Sequence, residues 1–416
     1  MADKTKQKNH TDADYSLEAV PKNNRKKFWP MFFIMLGFTF FSASMSVGAK
    51  LGNGLDLKGF VLSVLIGSTI LSVYTGVLGY IGSKTGMSLD LLAQRSFGKY
   101  GSFLPSALIT FTQIGWFGVG VAMFAVPAAD VLHVSPILLV AIAGICMTAS
   151  AYFGINGLEI VSYISVPLIA VLGIYSMVTA TNDGGGLVQI FAKNTGELSV
   201  FAGVGLVIGS FVSGGTATPN FTRFANSNKN AVITTVIAFF IGNTLMFSFG
   251  AVGGAFTGKD DIFYVMIAQG LLVPALIVLG ANIWTTNDNA LYTSGLGLSN
   301  ITKVRKKPMV LVAGAIGTVT AIWLYNNFVS FLNILNATLP PVGAIIMLDF
   351  FLNKENYTED SVVNTKVNIG SVLGVIAGAL MGNLVHWGIA SMNAMVTACA
   401  VYLIFRVITK AKKGNK

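Results

Sequence analysis

Charged side chains are scarce in this sequence of 416 residues, where Asp, Glu, Lys and Arg together make up 11%. A typical soluble domain carries about 25%, so the chain lacks the charge needed to cover a water-exposed surface. Hydrophobic residues reach 53%, and the mean hydropathy is +0.69. These values exclude a soluble multidomain protein, a disordered chain and a fibrous one. They predict a membrane protein that crosses the bilayer several times.

Cysteine and histidine are also rare, with two and three residues respectively. Cys146 and Cys399 both lie in apolar runs, so they predict neither a disulfide framework nor a metal site. No acid–base pair is evident inside an apolar run, and we therefore do not expect an enzyme. We expect no cleavable signal peptide, because residues 1–27 are polar and basic and the apolar run from Phe28 is long enough to span a bilayer.

Long apolar runs dominate the rest of the chain. A membrane-spanning helix needs roughly 20 mostly apolar residues, and the alternating pattern of a membrane β-barrel is absent. The sequence therefore predicts an all-α membrane protein with twelve transmembrane helices. They are expected near residues 28–50, 59–83, 103–129, 134–154, 159–181, 198–218, 231–256, 263–297, 308–326, 328–352, 367–387 and 389–408. The run at 263–297 is longer than one span, and a loop or short helix could occupy part of it.

Basic residues concentrate on one side of these predicted helices. With the N-terminus inside, 23 of the 27 Lys and Arg residues fall in inner tails and loops, and four fall outside. Such an excess is typical of cytoplasmic loops, so both termini are predicted to be cytoplasmic. The net charge of +10 could indicate nucleic-acid binding in a soluble protein. Here it indicates attraction of the basic tails to the membrane surface, and no nucleic-acid partner is expected.

Two segments inside predicted helices are unusually rich in Gly and hydroxyl side chains, residues 37–48 and residues 209–219. They lie in the first and the sixth helix, five helices apart. A matched pair of interrupted helices is typical of a transporter built from inverted repeats, with its binding site at mid-membrane. The alternative is close helix packing through small residues. The predicted organisation is a tail at 1–27, repeats at 28–181 and 198–352, two further helices at 367–408, and a tail at 409–416.

The eighth predicted helix carries the densest polar cluster of the apolar chain, residues 282–289. Asn282, Thr285, Thr286 and Asn289 share one face at helical spacing. Their amide and hydroxyl oxygens could bind Na⁺ together with carbonyls of an interrupted helix, or could hydrogen-bond between helices. Asp288 could be a proton carrier or a structural partner of neighbouring polar groups.

Gln113 and Trp116 in the third helix also share a face. An amide matches the edge of a planar heterocycle and an indole offers a flat stacking surface. Phe211, in the second Gly-rich segment, could stack on the opposite side of such a ring.

Pro340 and Pro341 in the tenth helix predict a kink, which could act as a gate or be static.

Five blocks carry a resemblance to the nucleobase:cation symporter family, in its bacterial cytosine-transporting branch. They are residues 35–45, 79–86, 115–125, 282–292 and 323–329, and the similarity extends from about 30 to about 405. The resemblance implies the leucine-transporter-like fold, in which helices 1–5 and 6–10 are inverted repeats and helices 1 and 6 are broken. It implies Na⁺-linked cytosine uptake by alternating access, with Na⁺ as the coupling ion. We expect the protein in the bacterial cytoplasmic membrane, and we expect no obligate protein partner.

The same resemblance implies site residues. The cytosine ring would stack between Trp116 and Phe211, and Phe211 favours a small pyrimidine because relatives with larger ring substrates carry Trp there. The alternative to Na⁺-coupled cytosine uptake is a proton-coupled transporter of the same fold, for nucleobases, other small rings or amino acids. The residues implied for the ring edge are Gln113, Asn282, Ser210 and Ser213, and those implied for Na⁺ are Phe41, Ser44, Asn282, Thr285 and Thr286.

Overall fold

The computed structural model describes residues 14–358, 361–385 and 387–414, and helices account for nearly all regular structure there. The only β contact within this part of the chain is an isolated bridge between Lys26 and Ala225. Most of the predicted N-terminal tail (residues 1–13) and the end of the C-terminal tail (415–416) lie outside the described residues. The all-α prediction is therefore confirmed where the structure describes the chain.

Twenty α-helices follow one another, joined in places by short 3₁₀ and π-helical turns. They are α1 (Phe28–Thr39), α2 (Ser42–Gly54), α3 (Leu57–Thr85), α4 (Leu89–Phe97), α5 (Phe103–Leu132), α6 (Pro136–Ala151), α7 (Ile155–Asp183), α8 (Leu187–Phe191), α9 (Val200–Thr216), α10 (Pro219–Thr222), α11 (Asn228–Val236), α12 (Asn243–Thr257), α13 (Ile262–Ala268), α14 (Leu272–Pro274), α15 (Gly280–Thr302), α16 (Lys306–Asn326), α17 (Phe328–Thr338), α18 (Pro340–Leu352), α19 (Ile369–Leu384) and α20 (Ala390–Gly414).

These helices form twelve spans in the described residues. Eight segments are long and apolar enough to cross a membrane, and α1 with α2 forms a ninth span that bends by 49°. The shorter apolar helices α6 and α19 and the polar helix α15 complete the set. In the overlong predicted run at 263–297, the short helices α13 and α14 and a π-helical turn precede α15, so the expected extra loop or short helix is present.

Small residues bring α2 and α12 into close contact. Gly48 and Gly52 of α2 face the backbone of α12, and Gly250 and Gly254 of α12 face the backbone of α2 so closely that a Cβ at any of the four would overlap it. Both pairs have the Gly-x-x-x-Gly spacing that allows membrane helices to approach. The crossing joins the first predicted repeat to the second and fixes α2, the second half of the bent span.

The segment of residues 14–27 folds back across one end of the bundle. Arg223, which is fully buried, donates to the carbonyl oxygen of Asp14 at 2.7 Å. Lys306 forms a 2.8 Å ion pair with the Asp14 carboxylate, and both side chains are almost fully buried. A buried charge is tolerated when a partner compensates it, so these three side chains fix the segment in place.

Both described ends of the chain lie on the same face, here called the terminal face. The N-terminal segment contacts Gly86 at the end of α3, and Tyr80 of α3 packs against Phe350 of α18 with ring centroids 6.3 Å apart. Arg406 of α20 donates to the carbonyl of Leu352 at the end of α18. The other end of the bundle is here called the opposite face.

Candidate functional site

The bent span is interrupted between α1 and α2, where Phe40 and Phe41 leave the helical conformation. The side chain of Asn282 on α15 crosses this interruption. Its oxygen accepts from the backbone N–H of Ser42 at 2.8 Å, and its Nδ2 donates to the carbonyl of Phe40. Backbone polar groups inside a membrane need partners, and Asn282 supplies them. The interruption therefore lies inside the predicted segment 37–48.

The second Gly-rich segment stays helical until Thr216, and α9 ends before a turn at Ala217 and Thr218. The interruption thus lies at the end of the predicted segment 209–219, because Pro219 begins the short helix α10 and lacks a backbone N–H. Gly214 does not unwind the helix. A Cβ there would lie 2.8 Å from ring atoms of Phe38 and of Phe211, so this glycine allows aromatic packing.

A small central cavity lies where α1, α2, α5, α9 and α15 meet. Its volume is about 20 Å³, which is room for about one water molecule and too little for a heterocyclic ring. The cavity is lined by Phe38, Phe41, Gln113, Trp116, Ser210, Phe211, Gly214, Thr286, Asn287 and Ala290. Four of the six predicted ring-binding residues are in this set. Ser213 and Asn282 are not.

The two predicted stacking residues, Trp116 and Phe211, are only 6% and 5% exposed. Each lies edge-on to the Phe41 ring, with centroids 5.5 Å and 6.4 Å away. The aromatic side chains therefore pack on one another through Phe41 rather than framing an open slot. Admission of a ring between Trp116 and Phe211 requires Phe41 to move.

Hydrogen bonds already engage the predicted polar side chains at this cavity. Gln113 donates through Nε2 to the Ser213 hydroxyl at 2.8 Å, and Ser213 donates to Thr112 at 3.1 Å. Ser210 donates to the carbonyl of Val207 within its own helix. Ser213 thus orients Gln113 from outside the cavity.

Asn287 lines the cavity although the sequence analysis did not select it. Its Nδ2 donates to the carbonyl of Phe117 at 3.3 Å and contacts the sulfur of Met147. Its Oδ1 packs against Gly120, where a Cβ would overlap it. Helical spacing from Asn282 predicts the face of α15 next to the one that carries Asn287. The dense run of polar residues at 282–289 is the sequence feature that could have identified Asn287 as a site residue.

The residues predicted to bind Na⁺ divide between two faces of α15. Thr286 lines the cavity, whereas the Thr285 hydroxyl pairs with Ser165 of α7 at 2.6 Å. Ser44 of α2 is buried, and its hydroxyl has no hydrogen-bond partner among the described residues. The carbonyl of Phe41 accepts only the N–H of Ser44 among backbone donors of the described chain.

Asp288 faces away from the cavity lining. Its Oδ1 accepts from the Ser150 hydroxyl of α6 at 2.6 Å, and Ser150 in turn accepts from the indole N–H of Trp284 at 2.6 Å. These hydrogen bonds are the kind expected of a carboxylate with a structural role between helices. No group of three or more His, Cys, Asp or Glu residues that could hold a metal occurs in the described ranges.

Aromatic residues of α17 cover the cavity from the opposite face. Phe328 and Phe331 pack edge-on to Trp116, with centroids 5.8 Å and 5.6 Å from it. Beyond this cover lie cavities of about 720 Å³ and about 310 Å³, both lined in part by Lys50. The span is interrupted at the predicted prolines, because α17 ends at Thr338 and α18 begins at Pro340, and the kink itself stays a prediction.

Comparison with known proteins places this geometry in a family. Residues 19–407 match the family described as permease for cytosine/purines, uracil, thiamine, allantoin. The cytosine permease of Escherichia coli strain K12 is 48% identical over 405 residues, which cover 96% of each chain.

Solved structures share the fold at low sequence identity. The nucleobase-cation-symport-1 family transporter Mhp1, in a closed conformation with bromovinylhydantoin bound, has a TM-score of 0.77 at 16% identity and covers 95% of this chain and 96% of its own. A Na⁺-coupled sialic acid symporter has a TM-score of 0.71 at 15% identity, with coverages of 95% and 93%. The predicted leucine-transporter-like fold, with its five-plus-five inverted repeat, is confirmed. The predicted repeat boundaries remain predictions.

Proposed function

The chain belongs to the family of permeases for cytosine/purines, uracil, thiamine and allantoin, and on this premise we propose that it imports cytosine by alternating access, coupled to Na⁺. It is a transporter and not an enzyme. The 48% identity to a cytosine permease across 96% of both chains supports cytosine as the substrate. The single structural observation that carries the proposal is the cavity between two interrupted spans, lined by Gln113, Trp116, Ser210 and Phe211.

The cytosine ring would stack between Trp116 and Phe211 once Phe41 moves aside. Stacking of a base on an aromatic side chain contributes about 1–3 kcal/mol. Gln113 and Ser210 would bind the ring edge, with Ser213 holding Gln113. Asn287, rather than Asn282, would bind the ring edge through its side-chain amide, because Asn287 lines the cavity. The Asn282 amide is already hydrogen-bonded at the helix interruption.

Sodium would bind beside this cavity through neutral oxygens. The proposed ligands are the carbonyls of Phe41 and Asn282 and the hydroxyls of Ser44, Thr285 and Thr286. Hard cations prefer oxygen ligands, and the unpartnered buried hydroxyl of Ser44 supports a ligand at this position. Because the Asn282 side chain holds α2 in place, an ion bound here would also stabilise the arrangement of the substrate cavity, which couples the two ligands.

Alternating access needs a cover that opens on each side in turn. On the opposite face, Phe328 and Phe331 separate the central cavity from cavities of about 720 Å³ and 310 Å³. On the terminal face, the N-terminal segment is fixed by Arg223 and Lys306. The aromatic cover on the opposite face borders a cavity of about 720 Å³, whereas buried charged side chains fix the segment on the terminal face, so we propose that substrate enters from the opposite face.

The terminal face would then be cytoplasmic. This orientation agrees with the sequence prediction that 23 of the 27 Lys and Arg residues lie on the inner side. We propose a multi-pass protein of the bacterial cytoplasmic membrane with both termini inside.

Uptake of labelled cytosine into proteoliposomes tests the proposal. An inward Na⁺ gradient should drive accumulation, whereas an inward proton gradient in choline buffer should not. Equal uptake in Na⁺ and choline would reject sodium coupling. Accumulation driven by protons alone would establish the proton-coupled alternative.

Competition experiments test the substrate separately from the ion. Unlabelled cytosine should suppress uptake at lower concentration than uracil, hydantoin, allantoin or an amino acid. If any of these compounds suppressed uptake more strongly than cytosine, that compound would be the preferred substrate. The conclusion on sodium coupling would not change.

A further inference from the structure

Tyr74, in the middle of α3, contacts the end of α9 and the first turn of α18. It is buried, and its hydroxyl lies 2.8 Å from the hydroxyl of Thr216, the last residue of α9. Thr216 uses its own proton to bond the carbonyl of Val212 at 2.8 Å. A hydroxyl has one proton, so Tyr74 is the donor in the pair. The bond fixes the end of α9 directly before the turn at 217–218.

The same phenol packs against the beginning of α18. A Cβ at Gly343 would overlap the Tyr74 hydroxyl and lie 2.6 Å from the ring carbon that carries it. Glycine at this position therefore allows the phenol to reach the backbone of α18 just beyond the kink. Tyr74 joins three helices at the depth of the central cavity.

The two halves of the kinked span differ in how firmly they are held. Asp349 near the end of α18 accepts hydrogen bonds from Asn353, from Tyr357 at 2.5 Å and from Tyr402 of α20. By contrast, Leu332 of α17 lines cavities of about 720 Å³ and 550 Å³ that lie beside α9. Space is thus available for α17 to move, while α18 is anchored.

The junction between these halves lacks part of its backbone hydrogen bonding. Pro340 and Pro341 have no N–H, so they cannot bond the carbonyls one turn earlier in α17. Bending at Leu339 therefore breaks fewer hydrogen bonds than bending elsewhere in the span. Movement at this point displaces Phe328 and Phe331, which cover Trp116.

We propose that Tyr74 is a positioning residue of the transport cycle, which holds the fixed half of the kinked span against α9 so that movement of α17 stays coupled to the substrate cavity. The inference rests on the proposed function. Phe211 lies on α9, five residues before Thr216. A loose contact between α9 and α18 would leave the ring-binding residues intact but slow the step in which the aromatic cover moves.

Tyr74→Phe removes the hydroxyl and keeps the ring. The affinity for cytosine, measured by titration calorimetry, should stay close to that of the unaltered protein, while kcat for uptake should fall roughly tenfold, the usual scale for loss of a buried hydrogen bond. Thr216→Val should likewise lower kcat and leave the affinity for cytosine unchanged. The double variant should have the same kcat as either single variant, because both substitutions remove the same hydrogen bond. Unchanged kcat in Tyr74→Phe, or an equal loss of affinity and kcat, would overturn the proposal.

Tyr264→Phe is the matched control. It removes a phenol hydroxyl that donates to Asp130 at 2.6 Å on the opposite face, remote from both interruptions. Its kcat and affinity should remain unchanged. A kcat loss in this control equal to that of Tyr74→Phe would show a general effect of losing a phenol and would count against the proposal.

A second measurement does not depend on the identity of the substrate. Cys146 and Cys399 are replaced by alanine, and Leu332→Cys is labelled with a membrane-impermeant maleimide in proteoliposomes. Tyr74→Phe should change the labelling rate of this position, and Tyr264→Phe should not. An unaltered labelling rate would overturn the inference even if cytosine uptake were confirmed, whereas absent uptake in the unaltered protein would refute only the proposed function.

Discussion

The side-chain oxygen of Asn282 accepts hydrogen bonds from both the backbone N–H and the hydroxyl of Ser42, at 2.8 Å and 2.7 Å. These residues are 240 positions apart in the chain and belong to opposite halves of the fold. The contact replaces hydrogen bonds that the interrupted helix lacks. The Asn282 amide thus supplies hydrogen-bond partners to backbone groups that the extended segment leaves without helical partners inside the membrane.

Replacement of Asn282 by alanine should therefore destabilise the protein. Loss of partners for buried backbone groups costs about 1–3 kcal/mol each, so the thermal midpoint in detergent should fall clearly below that of the unaltered protein. Asn289→Ala is the control, because the Asn289 side chain donates, within the described ranges, only to the carbonyl of Thr285 in its own helix. Equal midpoints for the two variants would contradict the capping role of Asn282.

Trp116→Ala should weaken cytosine binding roughly tenfold or more, since stacking on an aromatic side chain contributes about 1–3 kcal/mol. Quenching of intrinsic fluorescence or calorimetry with cytosine measures the change. Trp323→Ala is the matched control, because Trp323 is 66% exposed on the outside of the bundle. Binding retained in the Trp116 variant would remove the stacking hypothesis.

Thr285→Val keeps the shape of the side chain and removes its hydroxyl. If Na⁺ binds there, the concentration of Na⁺ needed for half-maximal cytosine uptake should rise, while uptake at saturating Na⁺ should change less. Thr320→Val is the control, because the Thr320 hydroxyl bonds the carbonyl of Ile316 in its own exposed helix. An unchanged Na⁺ requirement in the Thr285 variant would exclude that hydroxyl as a ligand.

Asp90, on the terminal face in α4, predicts a dependence of stability on pH. It accepts from the Ser106 hydroxyl at 2.5 Å, and burial raises the pKa of its carboxyl to about 6, although Ser106, Arg223 and Lys303 act in the other direction. The unfolded chain loses this proton near its ordinary pKa of about 4. The free energy of unfolding should therefore fall by up to about 3 kcal/mol as the pH rises from about 4 to about 6.

Asp90→Asn removes the titrating group and should flatten this pH dependence relative to the unaltered protein. Thermal midpoints in detergent across the same pH range measure the difference. Parallel curves for the two proteins would show that Asp90 does not titrate in this window.

Lys306→Ala should destabilise the terminal face strongly. Removing one partner of a buried ion pair costs about 3–5 kcal/mol because the other charge stays buried, and here the Asp14 carboxylate would lose its partner at 2.8 Å. Lys307→Ala is the control, since Lys307 lies exposed in the same turn. Similar thermal midpoints for both variants would show that the ion pair does not stabilise the fold.

Several features of the site could be read from local sequence. The interruption at Phe40 and Phe41 falls within its predicted segment because Gly, Ser and Thr cluster there. Gln113 and Trp116 line one cavity because helical spacing alone puts them on one face. The exact interruption in the second segment was harder to predict, since Gly214 and Gly215 lower helix propensity while packing by Phe38 and Phe211 keeps them helical.

Hydropathy and charge by themselves determined that this protein spans the membrane about a dozen times, because transfer into lipid sums the contributions of neighbouring residues along the chain. Only the tertiary structure decided that Asn287 faces the central cavity, that Asn282 joins the two halves of a bent span, and that Asp14 is paired with Lys306. Each of these depends on how one helix is rotated against another. That rotation is set by packing between residues far apart in sequence, which periodicity within a single helix does not encode.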